Sequence, residues 1–189
     1  MKEKLVSKHE KFDSSKFWIE HGIDLEKRRV MLDEEVESDS IGYIIRGIYK
    51  MIDMDETAPI DLIINCYGGD VYDCLALYDL LRSLDYLTVR TKVMGKCMSA
   101  GFYIFLAGDE RTCGKNATFM QHSLSGGVEG KLFEMKVDTT EAQRIQDSFF
   151  AILSENSNKS KAWWKRQIKY EDKYFNKAQA LELGIVTHE

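Results

Sequence analysis

Between Ala58 and His122 strand-like and helix-like stretches alternate without a long interruption. "APIDLIINCYGG" reads as a strand entering a glycine turn, with the chain's single proline, Pro59, just before it. "DVYDCLALYDLLRSL" follows as an amphipathic helix carrying Val71, Leu75, Leu77, Tyr78, Leu80 and Leu81. "LTVRTKVMG" is a strand, "SAGFYIFLAG" a helix, and "RTCGKNATFMQH" a turn and strand. Strands separated by helices pair in parallel through right-handed crossovers, so the chain is predicted to be α/β.

The flanks fit that frame. "RRVMLDEEV" gives a short strand, and "SIGYIIRGIYKMIDMDE" a helix with Ile41, Ile44, Ile45, Ile48, Met51 and Ile52 at helical spacing. Beyond the core lie a long helix, "GKLFEMKVDTTEAQRIQDSFFAILSENS", a shorter one, "KAWWKRQIKYED", and "NKAQALELG", which ends at Gly184 as a C-cap. No repeat period and no linker rich in Pro, Gly or Ser divides the 189 residues, which suit one domain. Residues 1–27 are expected to be a polar, partly mobile segment, and 28–189 the domain.

Charge and composition exclude several classes. The net charge is -5 with both signs mixed throughout, so no basic face awaits nucleic acid. No apolar run reaches ~18 residues, so no membrane span is expected. "MKEKLVSKHEKFDSSK" is too polar for a signal peptide, which points to a cytoplasmic protein. Cys66, Cys74, Cys97 and Cys113 form no CxxC pair and have no histidine at zinc-ligand spacing. They read as reduced, buried thiols, and no metal or cofactor is expected.

One hydroxyl interrupts the most apolar stretch: Ser99, followed by Ala100 and Gly101. It is either a packed small residue bonding a backbone carbonyl or a nucleophile at the start of a buried helix. A nucleophile needs a base. Of His9, His21, His122 and His188, only His122 follows a strand, and it precedes the glycine-containing "SLSGG". Strand ends of a parallel sheet collect active sites, which makes the Ser99–His122 pairing worth pursuing. Gly68 and Gly69 sit between a strand and a helix. They serve as a tight turn, and such a turn also aims backbone N–H groups into a cleft. No GxxxxGK[ST] or GxGxxG phosphate loop occurs. Cys97 is the alternative nucleophile, and composition alone selects no acid among 31 Asp and Glu.

Four stretches in order, "LIINCYGGDVYDCLALYDLLR", "GKCMSAGFYIFLAG", "HSLSGG" and "YFNKAQALELGIV", resemble the proteolytic subunit of the Clp protease, ClpP. The likeness runs from about residue 28 to 187 with nearly gapless spacing. It implies a ClpP/crotonase-type fold, with layered β-sheets, packed helices and a protruding handle helix. It implies a serine endopeptidase that cleaves unfolded polypeptides inside a closed chamber. By matched position, Ser99 is its nucleophile, His122 its base, Asp172 in "YEDKYF" its acid, and the N–H groups of Gly69 and Ala100 its oxyanion donors. "SLSGGVEGK" corresponds to a glycine-rich strand beside which a peptide adds as a further strand, with Gly68, Ser125, Gly126 and Gly127 as substrate-binding residues. The implied partners are further copies of the chain in heptameric rings, stacked as a tetradecamer, and an AAA+ ATPase unfoldase.

The chain departs from the family at several points. Cys66-Tyr67 stands where Ser-Pro is common, Ala100 where Met usually follows the nucleophile, and His122-Ser123-Leu124 where the family has His-Gln-Pro. Tyr170 and Glu171 replace an Asp-Arg pair before the acid, and the N-terminal segment does not resemble the axial loop. Such drift marks a divergent branch, a phage-encoded member being one form of it. Competing readings are a phage head-maturation protease of the same fold, an inactive structural or regulatory ring subunit, and a crotonase-type acyl-CoA enzyme.

Overall fold

The computed structural model describes residues 14–188. Seven strands, β1 (Ile23–Asp24), β2 (Arg29–Leu32), β3 (Ile60–Cys66), β4 (Val89–Met98), β5 (Glu110–Cys113), β6 (Thr118–Gln121) and β7 (Lys173–Phe175), form one sheet. Their order is β1-β2-β3-β4-β6-β7, with β5 paired to β4. From β2 to β6 every pairing is parallel, as the alternation of strands and helices requires, and the outer strands β1 and β7 are antiparallel. The fold is the mixed α/β arrangement expected of the ClpP type.

The middle of the sheet explains where a site can form. β3 alternates, burying Ile60, Leu62, Ile64 and Cys66. β4 pairs with β3 along one edge, while its other edge takes β5 at Arg90–Val93 and β6 at Lys96–Met98. A stretch that reads as a turn and one strand in the sequence, 111–122, therefore carries parts of two strands, separated by the turn at Gly114–Ala117. The bend falls at Gly95, φ 98°, where a Cβ would lie 2.7 Å from the Asn65 side-chain oxygen.

The helices cover the sheet. α2 (Ser38–Met54) buries Ile41, Ile44, Ile48 and Met51 on one stripe. α3 (Val71–Ser83) is capped by Asp70, whose carboxylate accepts from the N–H groups of Tyr72 and Asp73 at 2.8 and 3.0 Å. α4 (Ala100–Leu106) is buried at all seven positions, which is why its sequence is apolar on every face. α5 (Leu132–Glu155) packs through Ile145, Phe149, Phe150, Ile152 and Leu153 in its second half and projects its first half outward as a handle. α6 (Lys161–Gln167) buries Trp164, and α7 (Lys177–Glu182) buries Ala180. Buried Arg111 ties the C-terminal turn to β5 by donating to the carbonyls of Gly108, Asn156, Gly184 and Ile185.

The N-terminal segment divides. Residues 1–13 lie outside the described residues. From residue 14 the chain forms α1 (Ser14–His21) and then β1, so the sheet begins before residue 28. Buried Ile23 and the partly buried Phe17 anchor this portion, two apolar residues within a polar stretch. Among the described residues no helix is long and apolar enough to cross a membrane, and no cluster of His, Cys, Asp and Glu is arranged to hold a metal ion.

Candidate active site

Four chain segments meet at one end of the sheet. β3 runs into Gly68-Gly69, β4 into Ser99 and β6 into His122, all three pointing the same way. β7 runs opposite, so Asp172, just before it, arrives at the same end. The topology alone collects the sequence-derived candidates.

Ser99 caps α4 with φ 50° and ψ -122°. A positive φ at a residue with a Cβ costs about 1–3 kcal/mol and needs surrounding structure to hold it. Ser99 N–H donates to the Met120 carbonyl at 3.0 Å, and the Ser99 carbonyl accepts from Phe102 N–H at 3.0 Å and from Gln121 Nε2 at 3.1 Å. The bend leaves Ser99 Oγ 2.8 Å from Nε2 of His122. The hydroxyl does not bond back to a carbonyl one turn earlier, so the packed-serine reading does not describe its contact. Cys97, two residues away, is buried with Sγ toward the Gly101 carbonyl at 3.4 Å, and burial pushes its thiol well above the ordinary range. Such a thiol is a poor nucleophile.

The glycine turn lies against the serine. A Cβ on Gly68 would sit 2.8 Å from Ser99 Cβ and 3.0 Å from Ala100 N, so only glycine admits this approach. The turn is held by a parallel bridge to Val36: Val36 N–H donates to the Gly68 carbonyl at 2.8 Å and Asp70 N–H to the Val36 carbonyl at 2.7 Å. Among the described residues the N–H groups of Gly69 and Ala100 have no protein acceptor. Both sit beside Ser99 and line the hollow in front of it.

Asp172 stands apart. Gln121 pairs with Lys173 on the β6–β7 ladder, which places Asp172 one step on, level with His122. Its side chain is exposed, and no hydrogen bond joins it to the imidazole. Lys173 Nζ turns to Glu171 at 3.3 Å. The structure thus brings Ser99, His122, Gly69 and Ala100 together and leaves Asp172 in line but unengaged.

The expected glycine-rich strand, residues 123–131, is not a strand in the single chain. A strand requires a ladder partner, and none of the described residues supplies one. Ser125, Gly126 and Gly127 border an open hollow of about 570 Å³ shared with Gly69 and Val71. The start of the segment is pinned by side chains: Ser123 Oγ donates to the Ile168 carbonyl at 2.6 Å, and Leu124 N–H donates to Gln146 Oε1 at 2.5 Å.

Gln121, Gln146, Tyr103 and Phe149 were not singled out by the sequence. Each reads as an ordinary member of its element. A polar side chain at an inward strand position was the available signal for Gln121, which is fully buried.

The family whose model matches this chain is described as Clp protease, over residues 18–188. An ATP-dependent Clp protease proteolytic subunit of Deinococcus radiodurans is 27% identical over 164 residues, covering 86% of this chain and 79% of the relative.

Proposed function

The chain belongs to the Clp protease family, and from that membership we propose that it is a serine endopeptidase with Ser99 as nucleophile and His122 as base. The observation that carries this reading is the 2.8 Å approach of His122 Nε2 to Ser99 Oγ on a strained turn. His122 takes the hydroxyl proton as Ser99 Oγ attacks the scissile carbonyl, and then gives it to the departing amine. The oxyanion accepts from Gly69 and Ala100 N–H, each such donor being worth about 3 kcal/mol in the transition state. Water then hydrolyses the acyl-enzyme by the same proton relay in reverse. The stretch from Ser125 to Gly127 offers its backbone to an extended peptide, which makes Ser125, Gly126 and Gly127 substrate contacts, with Gly68 in the turn across the cleft.

Asp172 acts by holding the imidazole in the tautomer that presents a bare Nε2. Its exposed position level with His122 favours a triad completed on assembly. The handle is the surface for that assembly: Leu132 is 70% and Phe133 76% exposed on its outer half. Neighbouring exposed apolar residues of this kind mark an interaction surface. The proposed partners are copies of the same chain in heptameric, stacked rings. The Deinococcus relative is named as ATP-dependent. This chain has no phosphate loop of the GxxxxGK[ST] type, so any ATP would be used by a separate AAA+ unfoldase in the cytoplasm, the host's if the chain is phage-encoded.

The test is turnover of a short fluorogenic peptide by the assembled protein and by Ser99→Ala, with circular dichroism as the folding control. Cleavage lost in the folded variant is expected. Turnover retained by Ser99→Ala overturns the assignment.

A further inference from the structure

Directly against Ser99 lies a hollow of about 50 Å³. Its walls include His122, Val71, Leu124, Tyr103 and Phe149. The last two close it. Their rings stack face to face, 4.0 Å between centroids and 11° between planes, and each residue is only 3% exposed. Tyr103 comes from α4, one turn after the nucleophile, and Phe149 from the buried half of α5. The neighbouring 570 Å³ hollow shares Gly69, Val71, Leu124 and Ser125 with the small one but reaches neither Ser99 nor His122.

We propose that this enzyme selects a small side chain, of alanine or serine size, on the residue whose carbonyl is attacked, and that Tyr103 and Phe149 set the limit. The inference rests on the serine-peptidase reading above. The scissile carbonyl carbon must meet Ser99 Oγ while its oxygen meets Gly69 and Ala100 N–H. The side chain on the adjoining Cα then enters the hollow that touches Ser99. An apolar cavity of about 150 Å³ admits benzene, and one of about 10–15 Å³ holds a single water. A space of 50 Å³ accepts a methyl or hydroxymethyl group and refuses a phenyl ring. The two walls cannot simply withdraw, because α4 is buried throughout and Phe149 is packed between α4 and the rest of α5. Close-packed interiors resist such displacement. Bulky side chains are directed instead to the larger hollow, at another position along the peptide.

The experiment compares peptides identical except for Ala, Leu or Phe at the attacked residue. One added methylene in an apolar pocket changes selectivity about 10- to 200-fold. On that scale kcat/KM for Ala should exceed that for Leu at least ~10-fold, and that for Phe by ~100-fold or more. Phe149→Leu and Tyr103→Val each widen the hollow and should raise the Leu-to-Ala ratio about 10-fold or more, within the same range. Two variants are used so that one that fails to fold leaves the other to decide. Labelling of Ser99 by a small alkyl fluorophosphonate runs in parallel, since it places no side chain in the hollow. Labelling with a preference for Leu or Phe, or with ratios unchanged in both variants, overturns the size limit and spares the nucleophile. Absence of both labelling and cleavage overturns the peptidase reading and the inference with it.

Discussion

Replacing Gln121 with methionine should lower activity while leaving stability almost unchanged. Gln121 is fully buried, and only half of its amide is used. Nε2 donates to the Ser99 carbonyl, whereas Oε1 is buried without a partner. Methionine keeps the length and removes both polar atoms. The exchange deletes one hydrogen bond, a net loss of about 0.5–1.5 kcal/mol, and also deletes a stranded acceptor that costs about 1–3 kcal/mol. These effects oppose each other, so stability should move by less than ~1.5 kcal/mol and the thermal midpoint by less than about 5 °C. Catalysis has no such compensation. The Ser99 turn stores about 1–3 kcal/mol of strain, and the amide is one of its three hydrogen-bonded ties, beside Met120 and Phe102. If relaxation recovers ~1.4 kcal/mol of that strain, Oγ leaves its aim at His122 and kcat falls about tenfold. Steady-state kinetics on a fluorogenic peptide, with urea denaturation of the same preparations, measures both sides. The expected result is a tenfold lower kcat with KM within about twofold. An unchanged kcat would show that the amide does not hold the turn. A stability loss above ~3 kcal/mol would show that Oε1 is satisfied after all.

Other outcomes follow from the same geometry. General-base catalysis contributes about 100- to 10,000-fold, so folded His122→Ala should cleave a fluorogenic peptide slower by that order; wild-type turnover in the folded variant would remove His122 from that role. Burial pushes the Cys74 and Cys97 thiols up, so their contribution to stability is complete below the ordinary thiol value, about 8.5, and is lost as pH rises toward the folded-state values. Each should remove about 1.4 kcal/mol per pH unit above ~8.5, and urea midpoints from pH 8 to 10 should show a slope that Cys97→Ala reduces by one thiol's share. With Tyr170 and Glu171 before the proposed acid, and Lys173 bonded to Glu171, the proposed ring–ring contact would lack an Asp-Arg pair. Sedimentation velocity over a dilution series should then show single rings and falling turnover together, whereas a double ring intact and active at nanomolar concentration would refute the weakened contact.

The parallel sheet was legible because β3, β4 and β6 each carry their own apolar pattern and end in a turn or helix. Ser99 and His122 were legible for a related reason: both stand at strand ends, and parallel strands put those ends together. The break between β5 and β6 was not, since it depends on β4 bending at Gly95, a tertiary event that a stretch like "RTCGKNATFMQH" does not report. α1 was read as part of a polar segment because its few apolar anchors, Phe17 among them, find their partners in the core rather than in the segment's own pattern. Asp172 came from the resemblance alone, and the single chain shows why spacing could not find it: register aligns it with His122, but no bond fixes it there. Residues 123–131 form no strand in the single chain, where no ladder partner lies beside them among the described residues. The clamp by Gln121 and the ring stack of Tyr103 on Phe149 join residues 22 and 46 positions apart by number, beyond any local pattern.

The central claim is that Ser99, activated by His122, is the nucleophile. Peptide mapping by mass spectrometry after treatment with a fluorophosphonate tests it most directly. The account predicts one phosphonyl adduct per chain, on Ser99, and a strongly slowed adduct in folded His122→Ala. An adduct on another residue, or an unlabelled Ser99 in a folded, assembled protein, would contradict it.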